Sequence, residues 1–290
     1  MSTLNIIIPH YNRVELCIEC LESIYQEADN DKIKVIVVDD NSTDDTIELE
    51  KYLINHNGIF VKNRFKKGAG GARNTGIQEI DNRLAYVMFV DSDDNLLKGW
   101  YDSIQFETTK NSDAEVIYFK NDTNRMFHNK LLDKYYLKQS NKNECLELLF
   151  RVTVPWGKLF KTNLILENKI KFDEVSKAED VNFSVQALII SEKIAISKFI
   201  IYHYNFHEGN LSSFYSKVNW EDFKAVMYKK GDLIYTYLKE NHLRYRDLGT
   251  YLIVEGKRAG IGVKEYISIL KGIKKHHMYI FPSLSQIINR

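Results

Sequence analysis

The chain is poor in cysteine, and this limits the disulfide and metal chemistry that it can carry. It has three cysteines in 290 residues: Cys17, Cys20 and Cys145. Cys17 and Cys20 form a C-x-x-C, but they fall inside a helical apolar pattern, and no second pair completes a zinc site. We therefore expect the cysteines to have a structural role in a protein of the reducing cytoplasm.

Long apolar runs, internal repeats and low-complexity linkers are also missing. No stretch approaches the roughly 18 consecutive apolar residues of a membrane-spanning helix. The sequence enters a predicted strand within its first residues, so a secretory signal peptide is not expected. A length of 290 residues suits one large domain, or a core domain with a smaller appendage.

The chain has almost no net charge, but its two ends differ. Residues 1–100 carry 11 basic against 17 acidic side chains, whereas residues 216–290 carry 14 basic against 7 acidic ones. A basic C-terminal part suggests an anionic surface or partner, and a solvated surface is the alternative interpretation.

Short apolar runs alternate with helical patterns in the first hundred residues. Strands are predicted at 4–9, 35–38, 59–61 and 86–90, with a flexible basic loop at 66–71 and a third helix from Ala72. The alternation predicts an α/β fold with a doubly wound, mostly parallel sheet. Further along we predict a strand at 114–119, irregular strands up to Lys138, a helix at 144–151, a loop at 154–160 that enters a helix, a helix after Asp180, a strand at 199–204 and helices from about 216.

Polar clusters follow three of the predicted strands, at residues 10–12, 39–42 and 91–94. The carboxyl ends of parallel strands meet at one edge of a sheet, so these clusters are expected to converge. The carboxylates of Asp91, Asp93 and Asp94 would repel one another unless a cation neutralises them. A hard divalent ion that also holds a phosphate is one candidate. A turn with a helix N-cap is the alternative.

The Gly-rich segment 67–74 offers Lys67 and Arg73 to phosphates and backbone N–H groups at a helix start. It is not a dinucleotide fingerprint, because it follows the third strand and lacks the third glycine at the required offset. The Gly-Lys-Ser/Thr of a Walker loop is absent as well. By itself the segment indicates a tight turn more than a phosphate cradle.

Jointly, these motifs resemble the inverting family-2 glycosyltransferases with the GT-A fold, of the bacterial surface-polysaccharide type. The matching segments are residues 8–12, 37–44, 70–76 and 91–94, within a resemblance that covers about residues 3–215. The resemblance implies a GT-A (Rossmann-like) catalytic domain at 1–215, with a nucleotide-sugar half to about 115 and an acceptor half at 116–215. Residues 216–290 would form a helical C-terminal extension.

The resemblance also implies a donor site. Pro9, Tyr11 and Asp40 match the nucleotide-base pocket, and Asp91-x-Asp93 matches the D-x-D motif. Asp91 would face the ribose and the metal, whereas Asp93 would be the principal ligand of the Mn²⁺ or Mg²⁺ that bridges to the diphosphate of a UDP-sugar. Asp94 is expected to be structural. The remaining expected donor-binding residues are Asn12, Arg13, Val38, Lys67, Gly70, Arg73, Asn74 and Ser92.

Glu179-Asp180 matches the E-D motif of the family, which implies that Asp180 is the general base for the acceptor hydroxyl. Glu179 is the fallback base or a partner of the acceptor, and acidic residues at a helix N-terminus are the alternative reading. Trp156 resembles an acceptor-side aromatic residue, with a buried structural Trp as the alternative. His207 is a candidate metal or phosphate contact, and His203 is a weaker one.

The expected activity is transfer of a sugar from a nucleotide donor to a hydroxyl of a saccharide acceptor, which could be lipid-linked, in capsule, O-antigen or other surface-glycan synthesis. A nucleotidyltransferase and a non-catalytic nucleotide-sugar-binding protein are the alternatives. The expected location is the cytoplasm, with no nucleic-acid partner. The C-terminal helices, which carry Lys264, Lys271, Lys274 and Lys275, would pack on the catalytic domain, contact the inner face of the membrane or form a homodimer.

Overall fold

The computed structural model describes residues 4–28, 30–122, 126–205, 217–245 and 248–280. Within these ranges one sheet of eight strands forms the centre of the molecule, in the order β3-β2-β1-β4-β7-β6-β8-β5. The strands are β1 Leu4–His10, β2 Ile33–Asp39, β3 Ile59–Lys62, β4 Tyr86–Phe89, β5 Asn95–Leu96, β6 Val116–Asn121, β7 Lys158–Lys161 and β8 Ile194–His203.

Helices cover both faces of this sheet. They are α1 Val14–Tyr25, α2 Ile47–Asn55, α3 Ala69–Gln78, α4 Trp100–Lys110, α5 Met126–Tyr135, α6 Leu146–Arg151, α7 Thr162–Glu167, α8 Val181–Ile190, α9 Lys217–Glu240, α10 Leu248–Arg258 and α11 Val263–Lys275. Because both faces are covered, the strands are apolar on both sides.

The first four strands are parallel, as their apolar runs predict. β1 pairs with β2 and β4, and β2 pairs with β3. Ile6 and Ile8 pack in the core on the α1 and α2 side, whereas Ile7 packs in the core on the α3 and α8 side. Cys17 and Cys20 lie in the first of these cores as free, buried thiols, and burial raises the pKa of both.

The second half of the sheet is mixed, and two predictions there are wrong. Residues 158–160, predicted as the end of a loop, belong to β7, which runs antiparallel between β4 and β6. Lys158 is buried in this strand because its ammonium donates to the Val152 carbonyl at 2.8 Å and to the Val154 carbonyl. The region before Lys138, predicted as irregular strands, forms α5 and a 3₁₀ turn.

Helix α3 begins at Ala69, three residues before the predicted start, and includes Gly70 and Gly71 of the predicted flexible loop. A Cβ on Gly70 would overlap the carbonyl oxygen of Asp173, and one on Gly71 would overlap that of Lys66. The glycines are therefore needed for close packing of α3 against two neighbouring segments.

The C-terminal helices α9, α10 and α11 share a core with the sheet. Trp220, Phe223 and Met227 belong to the same buried cluster as Phe89 and Phe183. The division at residue 215 and the membrane and dimer contacts stay predictions. None of the described helices is both long and apolar enough to cross a membrane.

Helix α11 packs inward through Ile269 and Ile273, which are buried. Val263, Ile267 and Leu270 are exposed on its other side. The helix therefore packs onto the protein through the face that carries Ile269 and Ile273.

Candidate active site

The loops after β1 and β2 meet at the carboxyl edge of the sheet. Asn12 and Arg13 have positive φ angles of 55° and 62°, and Asn41 has a φ of 61°. The backbone amide of Asn12 donates to the Ser42 hydroxyl at 2.8 Å, and the backbone amide of Thr43 donates to the side-chain oxygen of Asn12 at 2.9 Å. Backbone in this region of φ/ψ space is costly for residues other than glycine and is concentrated at functional sites.

Asp40, at the end of β2, holds the loop that leads into α3. Its carboxylate accepts hydrogen bonds from the Gly68 amide at 2.7 Å and from the Asn63 side chain at 2.6 Å. The Lys67 ammonium lies 4.1 Å from the centre of the Tyr11 ring, and this ring is 45% exposed. Tyr11, Asp40 and Lys67, which the sequence places up to 56 positions apart, therefore lie in one corner of the site.

The acidic turn after β4 is not a helix cap, because the next helix begins only at Trp100. Asp94 points inward, where it accepts hydrogen bonds from the Tyr202 hydroxyl at 2.6 Å and the Asn205 amide at 2.8 Å. Burial and the charge of Asp91 raise the pKa of Asp94 to about 8. Its contacts support the structural role expected for it.

Asp91 and Asp93, in contrast, are only partly covered, with side chains 27% and 25% exposed. Asp93 pairs with the Arg13 guanidinium at 3.0 Å. Ser92 lies between them and is partly exposed. The two carboxylates of the D-x-D motif are therefore the accessible acids of the turn.

Arg73 joins the acidic turn to the second acidic pair. Its guanidinium donates to Asp91 at 2.6 Å and to Glu179 at 2.9 Å, and the residue is 4% exposed. Burial acts to lower the pKa of Arg73, but the charges of Asp91 and Glu179 outweigh it and raise the pKa. A buried guanidinium between two carboxylates fixes both in place through charge-assisted hydrogen bonds.

Asp180 occupies the N-cap position of α8, yet its side chain makes no capping hydrogen bond. Capping therefore does not account for this residue. Burial and the neighbouring Glu179 raise the pKa of Asp180 to about 7, and Arg73 acts in the opposite direction. A carboxyl group with a pKa near neutrality is suited to general-base chemistry.

Two buried lysines near Asp180 were missed in the sequence. Burial lowers the pKa of Lys158 to about 7 and that of Lys230 to about 8, and the charge of Asp180 opposes both shifts. The Lys230 ammonium donates to the Phe150 carbonyl at 2.7 Å. One signal was available, because Lys230 lies on the apolar stripe of α9 that includes Phe223 and Met227.

Three other predicted donor-binding residues are Val38, Asn74 and Pro9. The Val38 side chain is fully buried in the core. The side-chain amide of Asn74 donates to the Phe172 carbonyl at 3.0 Å and accepts from the Phe172 amide at 2.9 Å, so it holds the 172 backbone. Pro9 is partly buried at the end of β1.

Trp156 is 5% exposed and stacks on Tyr202 with ring centres 4.9 Å apart. It thereby supports the tyrosine that binds Asp94. The Nδ1 atom of His203 lies at a hydrogen-bonding distance of 2.7 Å from a carboxylate oxygen of Asp122. His207 lies outside the described residues.

The two D-x-D carboxylates suit a divalent ion whose remaining ligands come from a diphosphate. Mg²⁺ is usually held by one or two carboxylates together with substrate phosphates rather than by a full protein cage. The described part of the chain has no group of three or more His, Cys, Asp or Glu side chains that could hold a metal ion. Asp91 and Asp93 would therefore share the ion with the substrate.

A shallow groove of about 630 Å³ lies elsewhere, between the end of α3 and α7. Lys34, Arg83 and Lys169 contribute to its lining, and its acid, Asp81, is paired with Arg83. It adjoins the amino ends of β2 and β4, away from Asp91 and Asp180. The chemistry of the carboxyl edge, rather than groove volume, therefore identifies the candidate site.

Substitution of Gly70 by alanine is expected to disturb the acidic pair at 179–180. The new methyl group would overlap the Asp173 carbonyl and lie 3.1 Å from the Glu179 Cβ. We expect overpacking to destabilise the protein by about 1–3 kcal/mol, measured by urea unfolding. Gly262→Ala is the control, because a Cβ there meets nothing within 4 Å. Equal stability of the two variants would contradict the tight packing described here.

The fold has a close counterpart among solved structures. The crystal structure of residues 1–349 of Staphylococcus aureus TarS in complex with UDP-GlcNAc superimposes with a TM-score of 0.71 at 21% identity, over 95% of this chain and 80% of that one. The mannosyltransferase PcManGT of Pyrobaculum calidifontis, in complex with GDP-Man and Mn²⁺, superimposes with a TM-score of 0.52 at 15% identity, over 82% and 63%. The chain therefore has the α/β GT-A fold, as expected.

The sequence family is equally clear. The family model described as Glycosyl transferase family 2 matches residues 5–165. Because this is more than half of the chain, the protein belongs to glycosyl transferase family 2.

Two curated relatives are bacterial glycosyltransferases. Glycosyltransferase GlyA of Streptococcus pneumoniae is 27% identical over 275 residues, which cover 89% of this chain and 39% of that protein. The poly(ribitol-phosphate) beta-glucosyltransferase of Bacillus spizizenii is 31% identical over 211 residues, which cover 69% and 32%. The chain thus spans 32–39% of the length of these relatives.

Proposed function

We propose that this protein transfers a sugar from a nucleotide donor, a UDP-sugar, to a hydroxyl of a saccharide acceptor in the synthesis of a bacterial surface glycan. We further propose that the transfer inverts the anomeric configuration and depends on Mn²⁺ or Mg²⁺. The observation that carries the proposal is the Arg73 bridge, which holds Asp91 on one side and Glu179 on the other. Through this bridge Asp91, a proposed metal ligand, lies in one site with Glu179, which directly precedes the proposed base Asp180.

On the donor side, the roles follow from exposure and charge. The exposed Tyr11 ring would pack on the nucleotide base, and Asp40 would lie beside it. Asp91 and Asp93 would hold the divalent ion, which when bound neutralises charge on the leaving diphosphate. Arg13, which pairs with Asp93, and Lys67, which lies over the Tyr11 ring, would be cationic partners of the phosphates.

On the acceptor side, Asp180 would take the proton of the attacking hydroxyl. Its pKa, raised to about 7 mainly by burial, allows it to be ionised near neutral pH and still to bind a proton. Glu179, which Arg73 holds in place, would orient the acceptor. In an inverting reaction the base acts on the face opposite the leaving group, so an α-linked donor would give a β product.

The relatives support a cell-surface polymer as acceptor. One is named a poly(ribitol-phosphate) beta-glucosyltransferase and another a teichoic acid poly(glycerol phosphate) polymerase. The proposed location is the cytoplasm at the inner face of the membrane, where the basic C-terminal helices would meet a lipid-linked acceptor. The same helices could instead form a homodimer.

A thermal-shift screen of nucleotide sugars with and without Mn²⁺ tests the donor class. A donor at about 100 times its Kd stabilises a folded protein by about 2.7 kcal/mol, or about 5 °C in Tm at this size. We expect UDP-sugars with Mn²⁺ to produce this shift. Sugar phosphates with nucleoside triphosphates serve as the comparison, because a preference for them would indicate a nucleotidyltransferase. Binding without UDP release, over a broad panel of acceptors, would indicate a non-catalytic binding protein.

A further inference from the structure

Residues 173–182, here called the base segment, lead into α8 and carry Glu179 and Asp180. The segment has no regular secondary structure before Val181. Ala178, directly before the acidic pair, has a φ of 61°. A non-glycine residue in this conformation persists only where the surroundings enforce it. The placement of Asp180 therefore depends on what holds the segment from outside.

One side of the base segment is held by the donor half. The Arg73 guanidinium binds the Glu179 carboxylate, and Gly70 packs against the Asp173 carbonyl. The Lys66 backbone amide donates to the Glu174 carboxylate at 3.1 Å. These contacts come from α3 and the loop before it. They link the segment to the same helix that binds Asp91.

Helix α9 holds the same segment through contacts with Ser176 and Asp173. Asp222 accepts hydrogen bonds from the Ser176 amide at 2.8 Å and the Ser176 hydroxyl at 2.7 Å. The Lys229 ammonium lies 2.5 Å from an Asp173 carboxylate oxygen. The other oxygen of Asp173 accepts from Asn182 at 2.6 Å, so the ion pair with α9 also orients the first turn of α8.

The interior contacts of α9 reach the same region. The Asn182 side chain, fully buried, also donates to the Val226 carbonyl at 3.3 Å. Lys230 is 7% exposed and binds the Phe150 carbonyl on α6. Helix α9 thus contacts the first residue, the middle and the last residue of the base segment, and also α6.

We propose that α9 is a positioning element for the general base, with Asp222 and Lys229 as the positioning residues that hold the base segment against α3. The family match ends at residue 165, so this part of the machinery comes from outside the matched region. The assignment of Asp180 as the base rests on the proposed function, but the holding of the segment by α9 does not.

The test is the double variant Asp222→Ala/Lys229→Ala, followed by hydrogen exchange and steady-state kinetics. Loss of the acceptor at Ser176 and of the Asp173 ion pair should speed amide exchange across residues 173–180. UDP release from a UDP-sugar should slow by about tenfold or more in kcat, because small displacements of a catalytic group cost up to about a hundredfold. The KM for the donor and UDP affinity by calorimetry should not change.

Lys224→Ala is the matched control, since Lys224 lies on the same helix but pairs with Glu221 and with Glu265 of α11. It should leave kcat and exchange in the base segment at wild-type values. Lys229→Arg should retain activity, because it keeps the ion pair. Circular dichroism confirms that each variant is folded.

Each result decides the proposal. Unchanged exchange at 173–180, or an equal fall in kcat in the Lys224 control, would overturn the positioning role. Faster exchange with normal kcat would also overturn it, provided that Asp180→Asn is inactive. If Asp180→Asn itself retains full kcat, the proposed base is wrong, and the exchange data still decide whether α9 holds the segment.

Discussion

Asp180→Asn is expected to lower kcat by about 10²–10⁴-fold, the range lost when a general base is removed. Asparagine has the same shape but cannot accept the proton of the acceptor hydroxyl. UDP affinity should remain, because the donor residues lie at the ends of β1, β2 and β4. The measurement is UDP release under saturating donor, with binding followed by calorimetry.

The pH dependence adds a second readout. Because burial and Glu179 raise the pKa of Asp180 to about 7, wild-type kcat should rise with pH through about 7 and level off above it, as the base becomes ionised. The groups that act on this titration are Glu179, Asp91 and Arg73. The residual activity of Asp180→Asn should lack this rise.

Stability should change in the opposite direction to activity. The folded pKa of Asp180 lies above its ordinary value of 3.8, so between these values the folded state binds more protons than the unfolded state. The contribution of Asp180 to stability therefore falls as pH rises through this window. Asp180→Asn removes the buried charge and should raise Tm at pH 8.

The control for the base is Glu167→Gln, which neutralises an exposed carboxylate at the end of α7, outside the base segment. It should keep wild-type kcat and pH profile. A fall in kcat of the same size in both variants would reject a specific role for Asp180. A lower Tm in Asp180→Asn would indicate that lost activity reflects unfolding.

Asp93→Asn is expected to abolish stimulation by divalent ions and to reduce kcat by about 10²-fold or more. A bound metal supplies several kcal/mol of charge stabilisation in such reactions, and each 1.36 kcal/mol is about tenfold in rate. The binding readout is Mn²⁺ titration followed by electron paramagnetic resonance in the presence of UDP. Wild type should bind the ion in this state, and the variant should bind it more weakly.

Folding should be almost unaffected by this change. Asp93 is partly exposed and its ion pair with Arg13 lies at the surface, so the pair is worth at most about 1 kcal/mol. Asp94→Asn is the contrasting neighbour, because Asp94 is buried and binds Tyr202 and Asn205. That variant should lose stability and keep its response to Mn²⁺. Metal-independent turnover that is unchanged in Asp93→Asn would reject the proposed metal role.

The parallel half of the sheet was predictable because its signals are local. The runs in β1, β2 and β4 are apolar on both faces, and such runs are typical of strands that helices cover on both sides. The carboxyl-edge rule then placed residues 10–12, 39–42 and 91–94 together without further information.

The second half was less predictable because tertiary contacts override local preference there. A charged Lys158 is not expected in a buried strand. It lies in β7 because its ammonium donates hydrogen bonds to the carbonyls of residues 152 and 154. Gly70 and Gly71 are poor helix formers, yet both lie in α3. Glycine is needed at these two positions because the neighbouring backbones leave no room for a Cβ.

The sequence by itself determined the α/β class, the convergence of the acidic strand ends and, through their joint resemblance, the family. These properties depend on hydrophobic periodicity and on short motifs, both of which involve residues close together in the sequence. Only the tertiary structure decided which acids face outward, that Arg73 joins Asp91 to Glu179, and that α9 holds the base segment. Those features depend on burial and on charges brought together from distant parts of the chain, so no local sequence pattern predicts them.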